Sequence, residues 1–269
     1  MTNRFPVFIV GSPRSGTSAT VLALLGVGYH GFLEGNFLPL ISSVNEAVDR
    51  HFSIFSKGSP RTMVNLIDPV ALKSSLASVL TSRAAELNPT APWLDKSGNP
   101  QMIEAIPYLL ETWPEAVFIF SKRRGIENIV SRLKKFPARN FEWHCKDWAR
   151  VMRTWRETRT KLDPLRFLEM DQQTLITAPT TASNKLANFL NLSDTQRESL
   201  VSIFTKKRPQ QTADGSASRV YALDTLWTEP HRAIFQNICG PEMEAFGYSN
   251  DDSYWNEGGQ VAAEAPKAL

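Results

Sequence analysis

The sequence predicts an α/β fold of three layers, in which a central parallel sheet is covered by helices on both faces. Short apolar runs, of which "PVFIV" and "EAVFIFS" are the clearest, have the length and composition of buried strands. Stretches with apolar residues three and four positions apart separate these runs along the chain. Near-continuous apolar strands that alternate with helices are typical of parallel sheets buried on both faces.

The predicted elements follow one another from the N-terminus. The first strand, "PVFIV", leads into a helix from about 16 to 26, after which "GYHGFL" forms a short strand or a loop. Residues 36–88 have helical periodicity, and "APWLDKS" reads as the next strand. The later elements are a helix through "QMIEAIPYLLETW", the strand "EAVFIFS", helices at "IENIVSRLKKF" and "FEWHCKDWARVMRTWRETRTKL", the strand "RFLEM", and helices at "ASNKLANFLNL" and "DTQRESLVSIF".

The length and the composition indicate one globular domain. We expect residues 1–248 to form it and residues 249–269, which lack periodicity and are rich in small and polar residues, to be a flexible tail. The sequence is 42% hydrophobic and contains no apolar run near the ~20 residues that a membrane span needs. The net charge of +3 is too small to indicate a nucleic-acid partner, and the oligomeric state cannot be inferred.

Two further expectations concern location and metals. The N-terminal "MTNRFPVFIV" enters a strand at once and leaves no room for a secretory segment, so we expect a cytoplasmic protein. Cys145 and Cys239 lie far apart in unlike contexts, which suggests buried thiols with neither a disulfide nor a metal site.

The loop "GSPRSGTS" after the first strand is a candidate anion site. A glycine-bearing loop between a buried strand and a helix turns backbone N–H groups inward at the positive end of the helix dipole. Gly11 and Gly16 occupy the positions of a GxxxxGK phosphate loop, but Thr17 stands where the lysine should be. The cation of the loop is Arg14, whose planar guanidinium can hold an anionic group from the side.

This loop resembles the 5′-phosphosulfate loop of the sulfotransferase family, whose donor is 3′-phosphoadenosine 5′-phosphosulfate (PAPS). The resemblance implies a P-loop-like fold and assigns Arg14, with Ser15, Gly16, Thr17 and Ser18, to the 5′-phosphate and sulfuryl oxygens. A donor with no γ-phosphate makes the lysine of nucleotide triphosphatases dispensable. It also implies that no metal is required and that adenosine 3′,5′-bisphosphate is the product.

A second segment, "FIFSKRRGIENIVSRL", is similar to the 3′-phosphate segment of the same family. There a strand ends in an arginine and a serine follows eight residues later, places that Arg123 and Ser131 fill. The family often has Asp or Asn and then Pro after the arginine, whereas this chain has Arg124 and Gly125. That departure leaves Lys122 or Arg124 as a substitute or helper for Arg123. Weaker similarities extend the match over most of residues 6–248.

The catalytic base must be chosen among several candidates. "LDKSGNP" aligns with a Lys-Thr-His segment of one family branch, which implies that Lys96 neutralises charge on the moving group, but Gly98 replaces the histidine. The other branch uses a glutamate, and "HGFLEGNF" offers Glu34 just past the first helix. Asp95 and His30 are the alternatives.

The late segment "FTKKRPQQTADGSASRVYALDTLW" either closes over the nucleotide, with Ser218 or Arg219 at the 3′-phosphate, or is an ordinary mobile loop. The acceptor is expected to be a hydroxyl, less readily an amine, of a small molecule, lipid or saccharide. Two other functions stay open at this point: a P-loop kinase, which Thr17 disfavours, and a nucleotide-binding module that has lost catalysis.

Overall fold

The structure, a computed structural model, describes residues 5–56, 61–88, 92–207 and 223–255. Within these residues it contains one sheet of five parallel strands. The strands are β1 (Val7–Gly11), β2 (His30–Gly31), β3 (Trp93–Ser97), β4 (Val117–Lys122) and β5 (Phe167–Asp171). Their spatial order is β2-β3-β1-β4-β5, so all the strand ends that carry candidate residues meet at one edge.

The helices have the order expected from the sequence, with two refinements. The described α-helices are α1 (Thr17–Leu25), α2 (Leu40–Phe55), α3 (Pro69–Leu87), α4 (Pro100–Glu104), α5 (Ile106–Thr112), α6 (Gly125–Lys135), α7 (Phe141–Arg159), α8 (Gln172–Thr177), α9 (Pro179–Phe189), α10 (Asp194–Ser202), α11 (Leu223–Leu226) and α12 (Glu229–Ala245). The periodic region at 36–88 divides into α2 and α3. The short helix α8, which the sequence did not predict, begins where Asp171 accepts a hydrogen bond from the Gln173 N–H (2.9 Å).

Alternate residues of β1 enter two different cores. Phe8 and Val10 pack with side chains of α3 to α7 and α12, whereas Val7 and Ile9 pack with side chains of α1 and α8 to α10. Every residue of β1 is buried, which is why the strand is apolar throughout rather than alternating. The three-layer arrangement around a parallel sheet is therefore confirmed.

Residues just beyond the expected domain boundary at 248 make contacts with the core. Tyr254 is buried in the same core as β4, and its hydroxyl donates a hydrogen bond to Asp171 Oδ1 (2.8 Å), while the Tyr248 hydroxyl donates to Asp171 Oδ2 (2.8 Å). The buried Arg124 donates to the carbonyl oxygens of Ser249 and Asp251. Residues 249–255 lack periodicity because single contacts, and not a helix face, hold them; residues 256–269 lie outside the described part.

Both cysteines are buried and unbridged, as the sequence predicts. The Cys239 Sγ approaches the Cys145 carbonyl oxygen at 3.7 Å, and burial, followed by the effect of Cys145, raises the pKa of the Cys239 thiol. Among the described helices, none combines the length and the apolar character that crossing a bilayer requires.

The contacts of Tyr254 generate a stability prediction. Tyr254→Ala should lower the free energy of unfolding by roughly 3–5 kcal/mol, because a buried aromatic ring is removed. Tyr254→Phe keeps the ring and loses only the bond to Asp171, at a cost of about 1 kcal/mol. Urea denaturation followed by tryptophan fluorescence measures the free energy of unfolding of both variants. Unchanged stability in the alanine variant would support a flexible tail that begins at residue 249.

Candidate functional site

The loop between β1 and α1 leaves the sheet at a point where two strands come very close. Gly11 has a φ of +143°, and a Cβ atom at this position would lie 2.2 Å from the Ser121 carbonyl oxygen of β4. A side chain would therefore force β1 and β4 apart. Glycine at position 11 therefore allows the loop to start directly beside the carboxyl end of β4.

The loop presents the N-terminus of α1 as an anion site. Gly16 precedes the first turn, and no side chain caps the helix. The helix N-terminus thus offers backbone N–H groups and the positive end of the dipole. Of the predicted ligands, Ser15 and Thr17 are buried and Gly16 and Ser18 are half-buried. The Ser15 N–H is already bonded to the Ser12 carbonyl oxygen (3.1 Å), and the Ser15 hydroxyl accepts a hydrogen bond from Asn128 (2.9 Å).

Arg14 connects the loop to the second predicted phosphate segment. Its backbone adopts a left-handed conformation with φ +72°, which costs about 1 kcal/mol or more for a residue other than glycine. The conformation is held from outside the loop, because Arg123 donates to the Arg14 carbonyl oxygen (3.0 Å). The Arg14 Nε in turn donates to the Ser131 hydroxyl (3.0 Å). The structure therefore brings Arg14, Arg123 and Ser131 together.

Arg123 has the properties of an anion ligand. Its Nε is buried and has no hydrogen-bond partner within the described ranges. Burial lowers the pKa of Arg123, and the charge of Arg14 acts in the same direction. Burial also lowers the pKa of Arg14. Arg14 and Arg123 are both half-buried, and two like charges held close together are stabilised when an anion binds between them.

The neighbours of Arg123 have structural partners. Lys122 pairs with Glu169 of β5 at 2.9 Å. Arg124 is fully buried, forms a two-bond ion pair with Glu127 and lies 4.6 Å above the Tyr254 ring. Neither residue is needed as a substitute for Arg123, and the departure from the usual family pattern at position 124 serves to hold the segment at 249–255.

Helix α6 supports the loop through residues that the sequence analysis missed. Asn128 donates to the Pro13 carbonyl oxygen (3.0 Å) and to the Ser15 hydroxyl (2.9 Å). Arg132 donates to the Ser12 hydroxyl (2.9 Å) and pairs with Asp147 of α7 at 2.5 Å. The detectable signal is a polar stripe, since positions 128, 131 and 132 share one face of an otherwise apolar buried helix surface.

The predicted base and the predicted lysine also meet. Glu34 forms an ion pair with Lys96, whose side chain is buried while that of Glu34 is 53% exposed. Residues 34–36 cross the end of β3, because the Gly35 N–H bonds to the Lys96 carbonyl oxygen (2.9 Å) and the Asn36 N–H to the Ser97 hydroxyl (3.1 Å). A Cβ on Gly98 would lie 3.5 Å from the Gly11 carbonyl oxygen, which places this end of β3 against the phosphate loop.

Asp95 lies underneath this crossing. A Cβ on Gly35 would lie 1.6 Å from Asp95 Oδ1, so only glycine permits the close contact. The other oxygen, Oδ2, is buried with no partner in the described chain. Burial raises the pKa of Asp95 to about 6, opposed by the Lys96 backbone N–H. The Asp95 carboxyl group is therefore buried beneath the backbone of Gly35.

His30, the remaining candidate base, does not lie at this edge of the sheet. His30 is exposed and pairs in register with Trp93, three residues before Lys96, which is about 10 Å along the strand. His30 therefore lies further from the end of β3 than Glu34 does. Ser218 and Arg219 lie outside the described residues.

Comparisons with known proteins agree with this arrangement. A family model described as the sulfotransferase family matches residues 6–196. An uncharacterized protein of Aquifex aeolicus (strain VF5) is 27% identical over 231 residues, which cover 77% of this chain but only 28% of the relative. This chain thus spans little more than a quarter of that protein's length.

Solved structures show the same fold at low sequence identity. The sulfotransferase domain of the Synechococcus PCC 7002 olefin synthase has a TM-score of 0.55 at 17% identity, covering 93% of this chain and 97% of that domain. Sulfotransferase STF9 of Mycobacterium avium has a TM-score of 0.55 at 13% identity, covering 92% and 78%. Since the family model spans the phosphate loop, the Glu34 segment and the Arg123 segment, the chain belongs to the sulfotransferase family.

Proposed function

We propose that the chain transfers a sulfuryl group from PAPS to a hydroxyl, less readily an amine, of a small-molecule, lipid or saccharide acceptor. The observation that carries the proposal is the direct contact between two separate arginine-bearing segments. Arg123 bonds to the backbone of Arg14, and Arg14 bonds to Ser131. A ligand with two separate phosphate groups matches two such adjoining sites.

The donor fits the residues that are present. Arg123 and Ser131 would hold the 3′-phosphate, and the buried, unpartnered Nε of Arg123 is the group that this phosphate would satisfy. Arg14 and residues 15–18 would hold the 5′-phosphosulfate at the N-terminus of α1. PAPS supplies an activated sulfuryl group whose leaving group is adenosine 3′,5′-bisphosphate. Since that ligand has no γ-phosphate, Thr17 suffices where a nucleotide triphosphatase needs lysine.

The side chains at the end of β3 supply the acid–base chemistry. Glu34 accepts the proton of the acceptor hydroxyl, because its carboxylate reaches solvent and so can contact an incoming molecule. Lys96 positions that carboxylate through their ion pair, and its charge stabilises negative charge that develops on oxygen. Arg14 stabilises charge on the opposite side, next to the leaving phosphate.

Asp95 is less suited to act as the base. It is buried under Gly35, and no acceptor can reach its carboxylate without displacing the backbone of that residue. Its role in this proposal is to add negative charge behind Lys96. The two carboxyl groups can therefore be separated experimentally.

The first test is nucleotide binding. Calorimetry in EDTA should show that adenosine 3′,5′-bisphosphate binds far more tightly than ATP or ADP, because two sites accept two separate phosphates. Arg123→Ala should weaken this binding by roughly 1.5–3 kcal/mol, the usual value of a hydrogen bond to a charged group, and Ser131→Ala should weaken it less.

The controls use a ligand and a remote arginine. AMP, which lacks the 3′-phosphate, should bind Arg123→Ala as it binds the original chain, and Arg83→Ala, which removes an exposed arginine of α3, should change neither affinity. A strict magnesium requirement with ATP preferred would support a kinase instead. Tight bisphosphate binding without turnover on any acceptor would support a binding module without catalysis.

The second test concerns the base. Glu34→Gln keeps the shape of the side chain but cannot accept a proton, so turnover of an acceptor found by a mass-spectrometric screen should fall by about 10²–10⁴-fold. Affinity for adenosine 3′,5′-bisphosphate should stay unchanged. Asp95→Asn should retain turnover within about tenfold; the reverse ranking of the two variants would assign the base to Asp95.

The third test is the pH dependence of stability. A native pKa of about 6 for Asp95, above its ordinary value, means that the native state holds this proton more tightly than the unfolded state. Its contribution to stability is therefore present below about pH 4 and is lost as the pH rises to about 6. Relative to the original chain, Asp95→Asn should gain about 2–3 kcal/mol between pH 4 and pH 7 in urea denaturation. If the free energy of unfolding of Asp95→Asn and of the original chain changed with pH in the same way, the burial of the Asp95 carboxyl group would be contradicted.

A further inference from the structure

The segment that carries the proposed base exposes four large apolar side chains. Within nine residues, Phe32 (44% exposed), Leu33 (49%), Phe37 (37%) and Leu40 (44%) all face solvent, and Glu34 lies among them. We call these four residues the apolar patch. Single exposed apolar side chains are common on protein surfaces, but a group of four beside a reactive carboxylate indicates a binding surface.

The exposure of the patch is built into the fold. Backbone bonds from Gly35 and Asn36 attach the segment to the end of β3. Leu38 and Ile41 are buried in the core and anchor the same segment from below. Phe37 and Leu40, the neighbours of these anchors, are thereby held outside. The segment cannot turn its remaining apolar side chains inward without giving up those contacts.

The reaction itself identifies what covers this surface. Any acceptor must bring its hydroxyl to Glu34, and Glu34 lies in the same exposed segment as the apolar patch. Resting on the proposed function, we infer that the acceptor is an alcohol whose hydroxyl is attached to an extended hydrocarbon portion, and that the apolar patch binds this portion. A saccharide would place several hydroxyl groups against the patch without hydrogen-bond partners, which is unfavourable.

The atoms of the reaction balance with such an acceptor. The alcohol oxygen forms a bond to sulfur, and the bond from sulfur to the 5′-phosphate oxygen breaks, with its electron pair staying on that phosphate. The hydroxyl proton passes to the Glu34 carboxylate. The products are an alkyl sulfate and adenosine 3′,5′-bisphosphate, and the hydrocarbon covering the patch also excludes water from the ion pair of Glu34 and Lys96.

The test uses PAPS with straight-chain primary alcohols from ethanol to octanol, and with glucose as the saccharide. We expect kcat/KM to rise about three- to fourfold for each methylene group that the patch buries, and glucose to be at least 100-fold poorer than octanol. The double variant Leu33→Ser/Phe37→Ser should flatten this dependence on chain length and lower kcat/KM for octanol by 10-fold or more. Its kcat/KM for ethanol and its affinity for adenosine 3′,5′-bisphosphate should change little.

A matched control and the opposing outcomes complete the design. Leu165→Ser replaces a side chain that is 81% exposed just before β5, at the other edge of the sheet, and should leave the chain-length dependence unchanged.

Preference for glucose, or an unchanged chain-length dependence in the double variant, overturns the inference while the proposed function stands. Two other outcomes, each with acceptor preference unchanged in the double variant, also overturn the inference. A changed oligomeric state in sedimentation would indicate a subunit interface, and a loss of binding to phosphatidylcholine vesicles would indicate a membrane-binding surface. Absence of sulfation with every acceptor, despite tight bisphosphate binding, overturns the proposed function and this inference with it.

Discussion

The phosphate end of the candidate site depends on one packing arrangement, the contact of α6 with the loop that follows β1. Asn128, Ser131 and Arg132 occupy one face of this helix and bond to three successive parts of the loop, the Pro13 carbonyl, the Arg14 guanidinium and the Ser12 hydroxyl. The pair between Arg132 and Asp147 fixes α6 against α7 in turn. Because one helix face makes all these bonds, a small rotation of α6 would break them together. This arrangement keeps two guanidinium groups adjacent in spite of their mutual repulsion.

Much of the fold could be predicted because the strong signals are local. The continuous apolar runs of β1 and β4 each indicate a strand that is buried on both faces. A parallel sheet covered by helices buries its strands in this way. The same reasoning explains why the two arginine-bearing segments were found. Each follows a strand, and parallel strands deliver their carboxyl ends to one edge. The position of Glu34 was harder to predict, because the two-residue strand β2 that precedes it is barely visible in the sequence.

The partners of the charged side chains could not be predicted from the sequence. Lys122, Arg123 and Arg124 are consecutive, and nothing local distinguishes them. Groups far along the chain take part in positioning two of them. Glu169 pairs with Lys122, and the carbonyl groups at 249 and 251 accept from Arg124, which also pairs with Glu127. The covering of Asp95 by Gly35 likewise joins positions sixty residues apart in a contact that depends on the absence of a side chain. Long-range contacts of this kind decide which member of a charged run is available to a ligand.

The attachment of residues 249–255 to Arg124 has a consequence for biosynthesis. Arg124 and Glu127 belong to the middle of the chain, while the carbonyl groups that complete the coordination of Arg124 are made more than a hundred residues later. At about 5–20 residues per second, translation separates the two events by on the order of ten seconds. During this interval the carbonyl groups that accept from Arg124 have not yet been synthesised. Arg124 is next in sequence to Arg123, the arginine proposed to bind phosphate. The contacts of Arg124 with the carbonyl groups at 249 and 251 therefore form only after all five strands of the sheet have been synthesised.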